Sequence, residues 1–108
     1  MRSANVYRNG HLAGTLTEAS RSSYFFRYNE LYFLDKKMPA ISLTMPKTQQ
    51  EYHSQHLFPV FSNLLSEGVN RKLQSTQLHI DEADDMGLLL ATAQYDTIGA
   101  ITVKPISA

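Results

Sequence analysis

The sequence predicts an α+β domain in which a small antiparallel β-sheet packs against two to three helices. Three observations support this fold class: an Asn9-Gly10 turn between two β-prone stretches, apolar alternation in the stretches that follow, and two later apolar stripes at helical spacing. The order is strands, then helices, then a last strand, which is typical of a sheet covered on one face. The 108 residues, 1–108, are expected to form a single domain.

Composition excludes several classes of protein. Ten basic and ten acidic residues give a net charge of zero, which argues against a dedicated nucleic-acid-binding protein. The same balance leaves little charge repulsion to oppose association with a partner. The chain has no cysteine, no apolar signal region at its start and no run of transmembrane length. We therefore expect a cytoplasmic protein that contacts neither nucleic acid nor a membrane directly.

Most strands of the sheet are predicted to lie in the first half of the chain. The turn at 9–10 has the chemistry of a two-residue type I′ hairpin, which would place Tyr7 opposite Leu12 and Val6 opposite Ala13. The next stretch alternates aromatic side chains and continues the sheet as a meander. The N-terminal hairpin and meander plus a C-terminal strand give five predicted strands, which are 4–8, 11–17, 22–28, 40–45 and 99–104.

The segment from residue 29 to residue 56 is less regular. Residues 29–38 fit either one helical turn or a loop. Residues 40–45 alternate cleanly, and Pro46 should end this strand because proline cannot continue a β-ladder. Residues 47–56 are polar and without periodicity, so they are predicted to form a loop.

Two apolar stripes predict helices near residues 57–66 and 83–94. Pro59 is tolerated only in the first turn of a helix, so the first helix should begin beside it. Gly68 can close that helix in the left-handed conformation, and Asn70 is the expected N-cap of a further short helix. The side chains expected in the core are Leu12, Phe26, Leu43, Phe61, Leu65, Leu90 and Val103, with Ile41, Met45, Leu73 and Leu78 also facing inward.

The corner at residues 66–71 is the candidate partner interface. Gly68 would fix its backbone, Glu67 and Arg71 offer opposite charges, and Val69 offers an apolar contact. The complete set of candidate interface residues is Ser66, Glu67, Gly68, Val69, Asn70 and Arg71. The alternative is an ordinary helix–helix turn in which Val69 packs inward.

Three patterns resemble catalytic or metal sites but lack the rest of the machinery. Residues 79–81 and 85–87 faintly resemble kinase triplets, yet no glycine-rich loop, strand lysine or suitably spaced asparagine accompanies them. His53 and His56 are three residues apart, but a zinc site needs three or four ligands on an ordered scaffold. The spacing of Ser, Thr and Tyr shows no nucleophile–base pair. We therefore expect no enzyme activity, catalytic residue, cofactor or metal.

Six segments, taken in order, resemble one known family. They are VYRNGHLAGTLTE, SSYFFRY, AISLTMP, FSNLLSEG, GLLLATA and GAITVKP. Their order and spacing over about residues 4–106 resemble the N-terminal small subdomain of HipA-type serine/threonine kinase toxins. The family commonly has a proline where this chain has Ser66, and the residue after the glycine can be bulky where this chain has Val69.

This resemblance implies a binding function. In three-gene toxin–antitoxin systems of bacteria, the subdomain is a separate small antitoxin (HipS-like) that docks on a kinase toxin lacking it and blocks the kinase. A helix-turn-helix DNA-binding protein is the third member of such a complex. Met1 and an end just past the last strand favour this free-standing protein. The other interpretation is a fragment of a longer HipA-type kinase, with a structural or dimerisation role and no inhibitory activity.

Overall fold

The structure is a computed structural model that describes residues 2–65, 68–92 and 100–106. The described residues form five strands and four helices: β1 Arg2–Arg8, β2 His11–Ser20, β3 Ser23–Tyr28, α1 Glu30–Leu34, β4 Glu51–Ser54, α2 Pro59–Ser62, α3 Gly68–Leu78, α4 Asp85–Thr92 and β5 Ile101–Pro105. The strands pair in the order β4-β3-β2-β1-β5, and every pairing is antiparallel. The predicted α+β class and antiparallel sheet are confirmed.

The β1–β2 hairpin contains a bulge that the sequence did not predict. Its turn at 9–10 has positive φ at both residues, as a type I′ turn requires. Tyr7 pairs with Leu12 as predicted, but Val6 pairs with Gly14, one residue beyond the predicted partner, because the register shifts between them. The extra residue reverses the alternation of the strand. Leu12 therefore leaves the core face and is 37% exposed, so its predicted burial is wrong.

The core lies between one face of the sheet and helices α2 and α4. The ring of Phe26 lies 5.9 Å from that of Phe61 and 4.9 Å from that of Tyr28, measured between centroids. Together with the apolar side chains of β1, β5 and α4, these rings are shielded from solvent. Of the predicted core residues, Phe26, Phe61 and Val103 are buried, whereas Leu65 and Leu90 are half-buried against the core.

The fourth strand lies at Glu51–Ser54, inside the segment predicted to be a loop. It pairs with β3 and forms one edge of the sheet. Its residues are polar and none is fully buried. An edge strand of this kind has no apolar alternation, which is why the pattern did not reveal it.

Residues 40–45, predicted as a strand, form an irregular loop instead. The buried hydroxyl of Tyr28 accepts a hydrogen bond from the Ile41 N–H at 3.1 Å and donates one to the Met45 carbonyl at 2.5 Å. These two backbone groups are therefore satisfied without a neighbouring strand. Ile41 and Met45 are buried as expected, but Leu43 is fully exposed, so its predicted core position is wrong.

The helices differ from their predictions mainly at their ends. Residues 29–38 contain one short helix, α1, whose N-cap Asn29 accepts a hydrogen bond from the backbone of the first turn. Helix α2 begins at Pro59 but ends at Ser62, so it is shorter than predicted and the prediction that Gly68 closes it is wrong. Helix α3 begins at Gly68, which has a φ of 61°, so Asn70 lies inside the first turn and is not an N-cap. Parts of the predictions for 57–66, 83–94 and 99–104 fall on residues 66, 93–94 and 99, which lie outside the described residues.

Candidate protein-binding surface

Helix α3 presents exposed apolar side chains. None of its residues is buried, and it packs against α4 at the periphery of the domain. Val69, Leu73 and Leu78 are 74%, 54% and 42% exposed. The predicted inward orientation of the two leucines is therefore wrong, because α2 and α4 already cover the inner face of the sheet. The alternative in which Val69 packs inward does not fit its exposure either.

Val69 and Leu73 are four residues apart on α3, which places them on the same side of the helix. We refer to these two residues as the α3 face. Apolar side chains that share one exposed helix face are typical of surfaces that bind another protein. The α3 face is therefore the candidate protein-binding surface of the described structure.

The predicted interface residues divide into three groups. Ser66 and Glu67 lie outside the described residues. Gly68, Val69 and Asn70 are exposed at the start of α3. A Cβ added at Gly68 would meet no heavy atom within 4 Å, so the position needs glycine for its positive φ and not for space.

Arg71, the last predicted interface residue, is bonded within the chain. Its guanidinium donates to the Glu82 carbonyl from Nε at 2.9 Å and from a terminal nitrogen at 2.7 Å. It also forms an ion pair with the Asp85 carboxylate, and the Arg71 side chain is only 20% exposed. Charge-assisted hydrogen bonds are stronger than neutral ones, so Arg71 attaches α3 to the start of α4.

The C-terminal end of α3 is closed by local hydrogen bonds. The Ser75 hydroxyl donates to the Ile80 carbonyl, and the Ile80 N–H donates to the Ser75 carbonyl at 3.1 Å. His79 between them has a φ of 56°, the left-handed conformation that reverses a chain after a helix. Helix α3 is thus held by polar contacts at both ends while its apolar side chains remain exposed.

Arg2 ties the start of α4 to the sheet. Its guanidinium donates to both carboxylate oxygens of Asp84, at 2.7 and 3.0 Å, and its Nε donates to Glu18 at 2.8 Å. This guanidinium lowers the pKa of Asp84. The Tyr24 hydroxyl donates to the other Glu18 oxygen at 3.1 Å, and burial, followed by the charge of Glu18, raises the pKa of Tyr24 to about 12. Because the Arg2 guanidinium lowers its pKa, Asp84 is ionised and paired at neutral pH.

Asp84 also caps helix α4. Its carboxylate accepts a hydrogen bond from the Gly87 N–H at 3.1 Å. A Cβ at Gly87 would lie 2.3 Å from an oxygen of Asp84, so only glycine permits this close approach. Arg2 and Arg71 thus form ion pairs with two adjacent residues, Asp84 and Asp85. These contacts orient α3 relative to the sheet.

Asp81 and His53, two of the residues that resembled catalytic or metal sites, have partners within the chain. The Asp81 carboxylate accepts from the Ala83 N–H at 2.8 Å. His53 lies on edge strand β4 with its ring 5.5 Å from that of Phe25. Within the described residues, no three His, Cys, Asp or Glu side chains are placed to hold a metal ion. None of the helices in those residues is long and apolar enough to cross a membrane.

Comparison with known proteins identifies the family. The family model for the HipA N-terminal domain matches residues 4–104. The chain belongs to the HipA N-terminal domain family. A solved structure titled "N-terminal domain of HipA toxin" superposes with a TM-score of 0.73 at 29% identity, over 99% of this chain and 94% of that one. The resemblance found in the order of the six sequence segments is therefore confirmed.

HipA N-terminal domains occur in relatives of different length. A Haemophilus influenzae protein named "Uncharacterized protein" is 33% identical over 104 residues, which are 96% of this chain and 92% of that protein. A Sinorhizobium fredii protein named "Putative kinase" is 32% identical over 102 residues, which are 89% of this chain but only 25% of that protein. The domain thus makes up nearly all of one relative and a quarter of another.

The sequence did not reveal two features of this HipA N-terminal domain, namely the Arg2–Asp84 ion pair and the irregular loop at residues 40–45. Arg2 and Asp84 are 82 residues apart, and no local pattern signals a pair so distant along the chain. The irregular loop at residues 40–45 left no such signal either, because its alternation and its flanking Pro39 and Pro46 fit a short strand as well.

Proposed function

We propose that this HipA N-terminal domain is a non-enzymatic antitoxin that binds and inhibits a cognate HipA-like serine/threonine kinase toxin lacking the domain. The observation that carries the proposal is the α3 face, where Val69 and Leu73 are exposed on a helix held in a fixed orientation by Arg71. An exposed apolar surface on an oriented scaffold can bind without a large ordering cost. A helix-turn-helix DNA-binding protein in the same complex is part of this proposal.

Family membership supports a kinase as the partner. In the Sinorhizobium fredii relative, the matching region is a quarter of the chain and is joined to a remainder about three times its length, and that protein is named as a putative kinase. In the Haemophilus influenzae relative, the domain makes up almost the whole protein. A separate copy of a domain that elsewhere belongs to a kinase chain is well suited to dock on a kinase that lacks it.

The contacts of Asp81, Asp84 and Asp85 also favour binding over catalysis. The carboxylates of Asp81, Asp84 and Asp85 each bond to a backbone N–H or an arginine of the same chain. A catalytic acid or base must instead be free to reach a substrate proton. The proposal therefore assigns the protein no reaction of its own.

The second candidate function is a structural or dimerisation subdomain without inhibitory activity. The observation that favours it is the same Sinorhizobium fredii relative, in which the domain is a quarter of a longer chain. A domain of this kind would stabilise a kinase rather than block it.

A calorimetric titration followed by a kinase assay tests both candidates. The titrated protein is the HipA-like kinase lacking this domain from the same genome, and its phosphotransfer is measured with and without this chain in slight excess. Binding with loss of phosphotransfer supports the antitoxin. Binding with unchanged or increased phosphotransfer supports the structural subdomain, and no binding at micromolar concentrations refutes the antitoxin.

A further inference from the structure

The loop between α1 and β4 holds a leucine in solvent. Leu43 is 100% exposed, whereas Ile41 and Met45 on either side are 7% and 1% exposed. The backbone groups of those two neighbours bond to the hydroxyl of Tyr28, at 3.1 and 2.5 Å. Leu43 cannot turn into the core without pulling both buried neighbours out. The fold therefore presents this leucine outward.

Further hydrogen bonds brace both ends of the same loop. The Tyr32 hydroxyl donates to the Pro39 carbonyl at 2.6 Å. The Lys47 ammonium donates to the carbonyls of Asp35 and Met38, at 2.5 and 2.8 Å. A loop held in this way loses little conformational freedom when a partner covers it, so an exposed leucine on it can contribute fully to binding.

Leu43 stands beside an apolar groove with one cationic side chain. The groove has a volume of about 490 Å³, and the residues that line it include Arg8, Pro39, Ile41, Leu43, Pro46 and Ile101. Among the described residues that line the groove, Arg8 is the only charged one. Arg8 forms no salt bridge with any other residue of the described ranges. Within the described ranges, the groove therefore offers apolar contact together with a guanidinium that has no carboxylate partner.

The groove and the α3 face lie toward opposite ends of β1. Arg2 at the start of β1 binds Asp84 beside α4, whereas Arg8 at its end lines the groove. Six residues of extended strand span about 20 Å. A partner protein of ordinary size can cover both surfaces at once.

We infer that this groove is a second docking surface for the kinase, and that it receives a kinase segment carrying an apolar side chain next to a carboxylate. The inference rests on the proposed function, because the partner is the same kinase. The lining defines the segment: apolar walls favour an apolar side chain, and the one cation favours a neighbouring acid. In the Sinorhizobium fredii relative, three quarters of the chain lie outside the matching region and are available to cover such a surface.

Two variants test the groove through the affinity for the HipA-like kinase lacking this domain from the same genome. Leu43→Asp puts a negative charge in the apolar contact, and Arg8→Glu reverses the charge that would attract the carboxylate. Each should raise the dissociation constant at least about tenfold. The carboxylate of Leu43→Asp would be removed from water without a partner, and the carboxylate of Arg8→Glu would repel the acid of the kinase segment. Arg8→Lys should keep most of the affinity, since it keeps the charge.

Leu31→Asp is the matched control. Leu31 is 81% exposed on α1 but does not line the groove. The dissociation constant of Leu31→Asp for the kinase should stay within about twofold of that of the original chain. The melting temperatures of Leu43→Asp and Leu31→Asp should match that of the original chain, because both side chains are exposed.

Three results would overturn the inference. If Leu43→Asp and Arg8→Glu are folded and bind as the original chain does, the groove is not a docking surface, while the proposed function stands. If Leu31→Asp weakens binding as much as Leu43→Asp, the effect is not specific to the groove. If the original chain does not bind the kinase at all, the proposed function fails and this inference fails with it.

Discussion

The substitution Val69→Asp separates a partner contact from a contact that supports the fold. Val69 is 74% exposed in the first turn of α3, so the substitution should change the free energy of unfolding by less than about 0.5 kcal/mol. A carboxylate near a helix N-terminus is also favourable to the helix dipole. In a complex that covers Val69, the same carboxylate would be removed from water without a partner. That change should weaken binding by about 2 kcal/mol or more, or roughly 30-fold in the dissociation constant.

The assay is a pair of measurements on the same variant: thermal melting of the free protein and calorimetric titration of the kinase. Gln55→Asp, which places the same charge in the exposed turn after β4, is the control. We expect equal melting temperatures for both variants and weakened binding for Val69→Asp alone. Unchanged melting with unchanged affinity would show that the kinase is held by another surface. A large loss of melting temperature would show that Val69 supports the fold.

Three further predictions concern the scaffold. Phe61→Ala should lower the free energy of unfolding by about 3–5 kcal/mol, because Phe61 is fully buried against Phe26; a loss below about 1 kcal/mol in a urea titration would contradict its core position. Asp84→Asn should lower stability at pH 7 by about 1 kcal/mol, a modest loss since Arg2 is 38% exposed and solvent screens the pair. The lowered pKa of Asp84 means that this stabilisation is present above the ordinary carboxyl pKa and is lost as the pH falls through the lowered value. The free energies of unfolding of the original chain and of Asp84→Asn, measured as a function of pH, should therefore converge on acidification. Parallel curves would contradict the Arg2–Asp84 pairing. Arg71→Gln should speed amide hydrogen exchange in α3 about tenfold while exchange in β1–β3 is unchanged, because Arg71 attaches α3 to the domain; unchanged exchange in α3 would contradict that role.

Local chemistry predicted the hairpin but not its bulge. The Asn9-Gly10 turn and the Tyr7–Leu12 pair follow from residues close in sequence, and both are confirmed. The register shift between Val6 and Tyr7 does not follow from nearby residues, because it depends on the contacts that β2 makes with later parts of the chain. Asn29 donates its N–H to the Ala13 carbonyl at 2.8 Å, a contact across 16 residues that no local pattern contains. The exposure of Leu12 was therefore not predictable from alternation.

Periodicity also placed the fourth strand in the wrong segment. Residues 40–45 alternate apolar and polar side chains, yet they are a loop whose backbone bonds to the hydroxyl of Tyr28. Residues 51–54 lack alternation, yet they pair with β3 as an edge strand. Alternation reports which side chains are buried, and a braced loop can bury alternate side chains as well as a strand can.

The candidate site was only partly predictable. The positive φ of Gly68 follows from its residue type, but its predicted role does not: Gly68 begins α3 and does not close the preceding helix, which ends at Ser62. Whether Val69 faced solvent or the core could not be decided, since that depends on where α4 lies. The position of α4 depends in turn on Arg2 and Arg71, whose partners are 82 and 14 residues away. Long-range ion pairs of this kind leave no periodic signal.

Growth of bacteria expressing the HipA-like kinase is the measurement that tests the antitoxin proposal most directly. Co-expression of this chain should restore growth, and co-expression of the Val69→Asp variant at the same level should not, because that variant should bind the kinase roughly 30-fold more weakly. Failure of the original chain to restore growth, or equal restoration by both proteins, would contradict the account.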